Sequence, residues 1–301
     1  MTAIADLTRR PAETPFRRFV SDFAESRVAV GALAVLAAIA AAAILAPWIT
    51  PQDPFDLMQL DILDSKLPPG SLGSEGQMFW LGTDDQGRDM LSAIVYGLRT
   101  SILVGIGASL GALAIGMPVG MLAAYFGGLT DSLIMRVVDI QLSFPAILIA
   151  LILLAILGQG VDKIIIALVA VQWAYFARTV RGTALVERHK EYIEAAQCLA
   201  LGHRRVVFRH LLPNCMPPLI VVSTVLVAAA IALEATLSFL GLGLPITKPS
   251  LGLLIANGFE YLLSGKYWIS FFPGVALLIT IVCINLVGDQ LRDVLNPRLQ
   301  R

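Results

Sequence analysis

The chain has 301 residues, of which 57% are hydrophobic and 15% are charged. Soluble globular domains carry about 25% charged residues, so the composition excludes an ordinary soluble domain and indicates an integral membrane protein. Acidic and basic side chains number 22 each, and this balance gives no electrostatic footprint for nucleic acid. Cys198, Cys215 and Cys283 lack C-x-x-C spacing and are interpreted as free thiols.

The beginning of the chain predicts a cytoplasmic segment followed by a transmembrane helix. Residues 1–27 are polar and contain Arg9, Arg10, Arg17, Arg18 and Arg27. An uncharged stretch rich in Ala and Leu follows, so we predict a first transmembrane helix at residues 28–49. A secretory signal peptide is the alternative, but its apolar region spans only about 7–15 residues. Because further apolar segments follow, we favour an uncleaved span.

Residues 50–98 form an acidic, polar segment. Its basic residues are Lys66 and Arg88, whereas its carboxylates are Asp53, Asp56, Asp61, Asp64, Glu75, Asp84, Asp85 and Asp89. The sequence Pro68-Pro69-Gly70 is typical of irregular loops. Because loops poor in Lys and Arg favour the non-cytoplasmic side, we predict an external, surface-lying loop.

Further apolar segments predict a core of five transmembrane helices at residues 99–290, six in all with the first span, followed by a cytoplasmic tail at 291–301. These segments are Thr100–Thr130, Val138–Leu157, Ile164–Ala177, Leu219–Leu240 and Tyr267–Gly288. The first of them contains small-xxx-small spacings that predict close approach of another helix, at Gly107, Gly111, Gly116 and Gly120. Pro118 predicts a kink in it. The apolar run Pro249–Phe259 is too short to cross and predicts a helix that lies at the outer surface or dips into the membrane.

The distribution of charge decides whether the short segment Ile164–Ala177 spans. If it does, one side of the membrane receives 16 of the 22 basic residues: five in 1–27, one in 127–136, seven in 178–216 and three after 290. If it does not, the seven of 178–216 move to the other side, against the positive-inside bias. We therefore predict that it spans, with Arg178 snorkelling at its inner end, and that both termini are cytoplasmic.

The polar stretch Glu191–Asn214 predicts a helix that docks on a soluble partner. Small and apolar residues recur at helical spacing and predict one flat stripe: Tyr192, Ala195, Ala196 and Leu199. Glu191 and Glu194 suit the positive end of the helix dipole. An amphipathic helix resting on anionic lipid is the alternative.

The end of this stretch predicts the limits of the docking helix. Gly202 is predicted to end it, and Arg204 and Arg205 follow. Prolines then predict a stop and a turn back to the membrane, at Pro213, Pro217 and Pro218.

The chain lacks motifs for chemistry or for energising transport by itself. It has no Walker A or HExxH sequence, and we expect no metal site at its three histidines, His189, His203 and His210. The G-x-S-x-G match at Gly107–Gly111, centred on Ser109, lies in an apolar segment, and no histidine falls in any span, so we expect no catalysis. No series of charged residues follows the spans as an ion relay requires, which argues against the alternative of a self-sufficient secondary transporter or channel. We therefore expect the energy for transport to come from another subunit.

Several motifs resemble the permease subunits of ATP-binding cassette importers. Glu194-Ala195-Ala196, with Leu212-Pro213 closing the segment, is similar to the EAA loop, here residues 181–216. That loop forms the family's coupling helix, and its usual glycine is replaced here by Ala200. Three stretches resemble the dipeptide, oligopeptide and nickel permease group, in particular its dipeptide-permease C-type subunit. They are Leu81–Asp89 before Tyr96–Ser101, Arg136–Asp139 with Leu142–Pro145, and Glu234–Gly243.

The resemblance implies an all-α type I importer fold in a bacterial inner membrane, with no cofactor bound by this chain. The implied partners are a second, similar permease subunit, two ATPase subunits that bind ATP and Mg, and a periplasmic solute-binding protein. The implied substrates are di- or oligopeptides, with nickel chelates or glutathione as alternatives within the group.

Polar residues in or near the spans are candidates for the transport pathway, namely Asp139, Ser143, Glu234 and Ser238. Asp139 lies either near the solvated interface, which we favour, or inside the bundle. Glu234 either lines the pathway or pairs across the permease dimer, or it makes a structural hydrogen bond, and these alternatives stay equal.

Overall fold

The computed structural model describes residues 14–56, 58, 60–245 and 247–295. Arg9, Arg10, Arg298 and Arg301, which entered the charge argument, lie outside the described residues. Long helices dominate the described part, and five of them are long and apolar enough to cross a membrane.

The N-terminal residues form two capped helices. Helix α1 (Pro15–Ala24) begins after Thr14, whose hydroxyl oxygen accepts the N–H of Arg17 at 3.4 Å. Helix α2 (Arg27–Ile49) matches the predicted first span and buries small side chains, at Ala29, Ala32, Ala43 and Ala46. These alanines allow α2 to lie close against its neighbours.

The acidic loop that follows α2 is more ordered than its composition predicts. It contains a 3₁₀ turn (Ile62–Asp64) and an antiparallel hairpin of β1 (Ser71–Leu72) and β2 (Met78–Phe79). Asp84 and Arg88 form a buried ion pair with an Oδ2–Nε distance of 2.7 Å. The loop is also tied to the helices, because Trp268 Nε1 donates to the carbonyl of Thr83 at 3.1 Å.

Helices α3 (Met90–Phe126) and α6 (Val161–Arg188) lie side by side in close contact. A Cβ added at the α3 glycines would meet successive positions of α6: Ile165 from Gly107, Val169 from Gly111, the carbonyl of Trp173 from Gly116 and the carbonyl of Ala177 from Gly120. The predicted close approach is therefore confirmed. Because the residue numbers of the contacting positions rise in the same direction along both helices, α3 and α6 run parallel.

Adding a methyl group at this contact is expected to destabilise the bundle. Gly120→Ala places a Cβ against the backbone of Ala177, which can move only if the helices separate. We expect a loss of about 1–3 kcal/mol, seen as a lower thermal unfolding midpoint in detergent. Gly182→Ala on α6 is the control, because nothing lies within 4 Å of its added Cβ and alanine favours the helix. Equal midpoints for the two variants would contradict this packing.

The predicted third span is broken rather than continuous. It consists of α4 (Gly128–Ser143) and α5 (Ala146–Leu157), which meet at 89°. The predicted span over Val138–Leu157 is therefore present, but as two helices rather than one. Pro145 has no N–H and disfavours the helical conformation for the residue before it, and Phe144 is indeed extended, with φ −93° and ψ 141°. Because α3 and α6 run parallel, the bent pair must return the chain across the bundle, which makes six crossings.

The predicted fourth span is part of a longer helix, since α6 has 28 residues. Two ion pairs tie it to α4: Arg181 with Asp131, at 2.7 Å between Nη2 and Oδ2, and Arg178 with Asp139. Arg178 and Asp139 are both exposed, at 52% and 60% of their side chains. Arg178 therefore reaches a carboxylate rather than only the interface, and Asp139 lies on the surface of this chain.

The prolines of the basic stretch do not stop a helix, and that prediction is wrong. Helix α7 (Glu191–Cys198) is separate from the helix that follows it. That helix has 37 residues and consists of α8 (His203–Arg205), a π-helical segment (Val206–Leu211) and α9 (Leu212–Phe239). The wider π turn precedes Pro213, where Leu212 donates its N–H to the carbonyl of Val207. Such local adjustments accommodate proline within membrane helices.

Two helices complete the fold. Helix α10 (Leu251–Phe259) agrees with the predicted short apolar helix, and α11 (Trp268–Leu295) contains the last predicted span. Helix α10 packs on α9 and α11 and buries Leu251 and Leu254. At the other end of the bundle, Gln290 of α11 donates to the carbonyl of Asp22 in α1 at 3.2 Å, so the two ends of the described chain meet.

Candidate coupling helix and adjoining cavity

Helix α7 presents one exposed face and one buried face. Ile193 and Ala196 are 1% and 4% exposed and pack into a cluster with residues of α3, α6 and α9. Glu191, Glu194, Ala195 and Leu199 are exposed, and we call these four residues the α7 surface. Ala196 therefore does not belong to the exposed stripe in which the sequence placed it. The stripe is interrupted because α7 uses its small residue to lie close to the bundle.

Tyr192, also predicted for docking, bonds to this chain's own helices. Its hydroxyl donates to Glu187 Oε2 at 2.7 Å and accepts from Asn214 Nδ2 at 3.1 Å. Burial and the neighbouring Glu187 carboxylate raise the pKa of Tyr192, so its hydroxyl remains protonated at neutral pH. Tyr192 thus joins α6, α7 and α9.

Ala200, rather than Gly202, terminates the α7 segment, so the prediction for Gly202 is wrong. Ala200 has φ +53°, and the N–H of Leu201 donates to the carbonyl of Ala196 at 3.2 Å. This is the six-to-one bond of a Schellman cap, with Ala200 in the left-handed position that glycine usually occupies. Gly202, with φ −58°, instead precedes α8.

Replacing Ala200 with glycine should stabilise the protein. A non-glycine residue in the left-handed region costs about 1–2 kcal/mol, of which the greater freedom of glycine in the unfolded chain offsets about 0.4–1 kcal/mol. We expect a net gain of up to about 1 kcal/mol and a higher thermal midpoint for Ala200→Gly. Ala195→Gly, within the same helix, should instead lower the free energy of unfolding by about 1 kcal/mol. A fall in the midpoint for Ala200→Gly would contradict the cap.

Arg204 and Arg205 are exposed on α8 beside a small cavity of about 600 Å³. Its wall includes Tyr125, Ala200 and His203, and the hydroxyl of Tyr125 lies 2.6 Å from His203 Nδ1. This contact holds the start of α8 against the end of α3, so basic side chains flank the α7 surface at a fixed position.

A larger cavity, of about 1410 Å³, opens between α1, α6, α9 and α11. Polar side chains of α6 line it at successive turns, namely Gln172, Tyr175, Thr179, Thr183 and Glu187. The lining from α9 is mainly apolar, and α1 and α11 contribute charged residues to the lining, namely Arg18, Asp22, Asp289 and Arg292. This polar row on α6 was not predicted from the sequence. Its signal was polar residues at a spacing of three or four within an otherwise apolar helix.

None of the four pathway candidates is among the residues that line this cavity in the described part of the chain. Glu234 is fully buried and accepts hydrogen bonds from Ser101 at 3.0 Å and from Ser238 at 2.8 Å. This geometry favours a structural hydrogen bond for Glu234 over a place in the pathway or a pairing across the permease dimer. Ser143 Oγ donates to the carbonyl of Asp139 at 2.7 Å, on the surface of α4.

Residues 116–301 match the family described as the binding-protein-dependent transport system inner membrane component. The chain belongs to this family. Residues 14–69 also match the N-terminal transmembrane domain of oligopeptide transport permease C. The chain is therefore a multi-pass membrane permease component, in a family whose ATPase activity lies in separate subunits.

Similar proteins cover nearly the whole chain. The di/tripeptide transport system permease protein DppC of Pseudomonas aeruginosa is 36% identical over 287 residues, which cover 95% of this chain and 93% of that protein. A putative peptide transport system permease protein of Brucella suis is 40% identical, covering 89% and 87%. The dipeptide transport system permease protein DppC of Bacillus subtilis is 33% identical, covering 99% and 90%.

A solved structure confirms the fold class. The inward-facing MetNI methionine ABC transporter matches 69% of this chain and 98% of its own matched chain, with a TM-score of 0.56 and 22% identity. At this identity the match supports the architecture alone, which is that of the transmembrane domain of ABC importers.

Proposed function

We propose that this chain is a transmembrane permease subunit of an ATP-driven importer of di- or short oligopeptides. The observation that carries the proposal is that Tyr192, on the helix that bears the α7 surface, bonds to residues of two of the helices that line a large cavity. The peptide specificity is supported by the names of the similar proteins. ATP and Mg would be bound by partner ATPase subunits.

The proposed assembly contains a second, homologous permease subunit, two ATPase subunits and a periplasmic solute-binding protein, in a bacterial inner membrane. The α7 surface and both termini face the cytoplasm, in keeping with the excess of basic residues in 178–216. The loop containing β1 and β2 lies at the periplasmic side, where the binding protein delivers its ligand.

The cavity is the part of the pathway that this subunit contributes. Its row of hydroxyl and amide groups on α6 suits the hydrogen-bonding groups of a peptide backbone, and charges of both signs among its lining residues suit the two charged termini. ATP binding closes the ATPase pair and moves α7, and α7 transmits this movement to α6 and α9. The pathway then changes from inward- to outward-facing.

Reconstitution into liposomes tests the proposal. The complete complex, supplied with its binding protein, should accumulate labelled dialanine only when ATP is present. Dialanine uptake by this chain alone under an ion gradient, without ATP, would instead establish a secondary transporter. ATP-dependent uptake of a nickel chelate or of glutathione, with dialanine and longer peptides excluded, would overturn the assignment of the substrate class.

A further inference from the structure

Tyr192 is a residue of α7 whose side chain bonds to the cavity wall. Its hydrogen-bond partners, Glu187 and Asn214, belong to different helices and both line the cavity. Glu187 is 9% exposed and also accepts a hydrogen bond from Lys190 Nζ at 2.6 Å. We infer that Tyr192 is the positioning residue through which movement of α7 opens and closes the α7 end of the cavity, an inference that rests on the proposed function.

The walls are also joined at a second level, deep in the bundle. Gln172 is 1% exposed and donates from Nε2 to the carbonyl of Leu226 at 3.0 Å, which links α6 directly to α9. Gln172 and Glu187 are separated along α6 by about 22 Å at the rise of an α-helix. Of these two hydrogen-bonded links between α6 and α9, only the one at Glu187 includes α7. A force on α7 therefore acts at the far end of α6, while the deep link keeps the two helices together.

The seating of α7 does not depend on this hydroxyl. Ile193 and Ala196 bury their side chains in an apolar cluster that includes Val206 and Leu211. Removing the hydroxyl of Tyr192 leaves these contacts and the α7 surface intact. It removes only the directional bonds to Glu187 and Asn214, so transmission is separable from folding and from docking.

Accessibility of the cavity provides the test, because it does not require the substrate to be known. The complete complex in nanodiscs carries Cys198→Ser in every arm, since Cys198 is exposed, and a reporter at Thr183→Cys in the cavity wall. Labelling by a charged thiol reagent is compared before and after trapping of the ATPases with ATP and vanadate. With Tyr192 intact, we expect trapping to slow labelling about tenfold or more.

In Tyr192→Phe, the ATPases should still trap nucleotide, but trapping should change the labelling rate by about twofold or less. The reason is that a hydrogen bond to a charged acceptor shifts the equilibrium between two conformations by about tenfold. Tyr267→Phe is the matched control, since Tyr267 is 53% exposed and is not among the residues that line the cavity in the described part of the chain. It should respond as the parent does. Asn214→Leu should reduce the response as Tyr192→Phe does.

A full response to trapping in Tyr192→Phe would overturn this inference and leave the proposed function standing. The same holds if Tyr267→Phe loses its response equally, because the effect would then not be specific to the α7 link. If the parent complex neither binds ATPase subunits nor responds to ATP, the proposed function fails and the inference with it.

Discussion

The double variant Glu194→Arg with Ala195→Leu should lose ATP-driven uptake while its permease chain remains folded. Both residues belong to the α7 surface and are exposed, so neither change disturbs the core. A flat surface with a carboxylate becomes a protruding one with the opposite charge. Changes at the centre of an interface commonly cost about 2 kcal/mol or more, which corresponds to roughly thirtyfold weaker binding.

Copurification of ATPase subunits with the tagged permease measures this loss directly, and uptake measures its consequence. Leu199→Ser, at the end of the same surface, should have a smaller effect. Ala196→Leu is the contrasting variant, because Ala196 is buried and the added carbons must displace the apolar cluster. It should lower the thermal midpoint of the isolated chain, which the double variant should not. Normal assembly and normal uptake in the double variant would exclude docking at this surface.

Arg88→Ala should cost the protein about 3–5 kcal/mol, because it leaves Asp84 as an unpaired buried charge. Asp84 and Arg88 are 0% and 1% exposed, and Asp84 Oδ1 also accepts the N–H groups of Gln86 and Arg88 at 2.8 and 2.9 Å. The pair organises the turn that leads into α3. Its loss removes the partner of the carboxylate while the carboxylate stays enclosed.

The matched control is Glu75→Ala, which removes an exposed charge from the same loop and should change the midpoint little. Thermal unfolding of the detergent-solubilised chain measures both. We also expect faster proteolysis of the loop in Arg88→Ala, since Thr83 holds Trp268 of α11 through the same turn. An unchanged midpoint in Arg88→Ala would show that the pair does not support the fold.

The features that were predicted correctly from the sequence each depend on residues that lie close together in the chain. The first span follows from the uncharged run Val28–Ala46, and the contact between α3 and α6 follows from glycines four residues apart. The bend of 89° between α4 and α5 was not predicted, although Pro145 restricts the conformation of the residue before it. The prolines of α9 misled the prediction because a π-helical segment, which depends on longer-range packing, precedes them.

The docking helix shows where local pattern becomes insufficient. A stripe of small residues does not reveal whether it faces a partner or the chain's own core, since both surfaces require close approach. Ala196 turned to the core with Ile193, whereas Ala195 remained exposed. Likewise, the alanine at position 200 did not by itself predict a positive φ, since alanine rarely adopts one. The Schellman bond stabilises the left-handed conformation of Ala200 in the folded chain.

By itself the sequence determined that this protein is a membrane permease component with apolar spans and one polar helix between them. Composition and charge decide only that the chain spans a membrane, because the cost of placing charges in lipid arises residue by residue, and the permease class follows from the resemblance of its motifs to a known family. Only the tertiary structure decided that α3 and α6 run parallel, that polar groups of α6 line a cavity and that Tyr192 joins α7 to its walls. These features depend on which helix faces which, and that choice is made by packing among residues far apart in the chain.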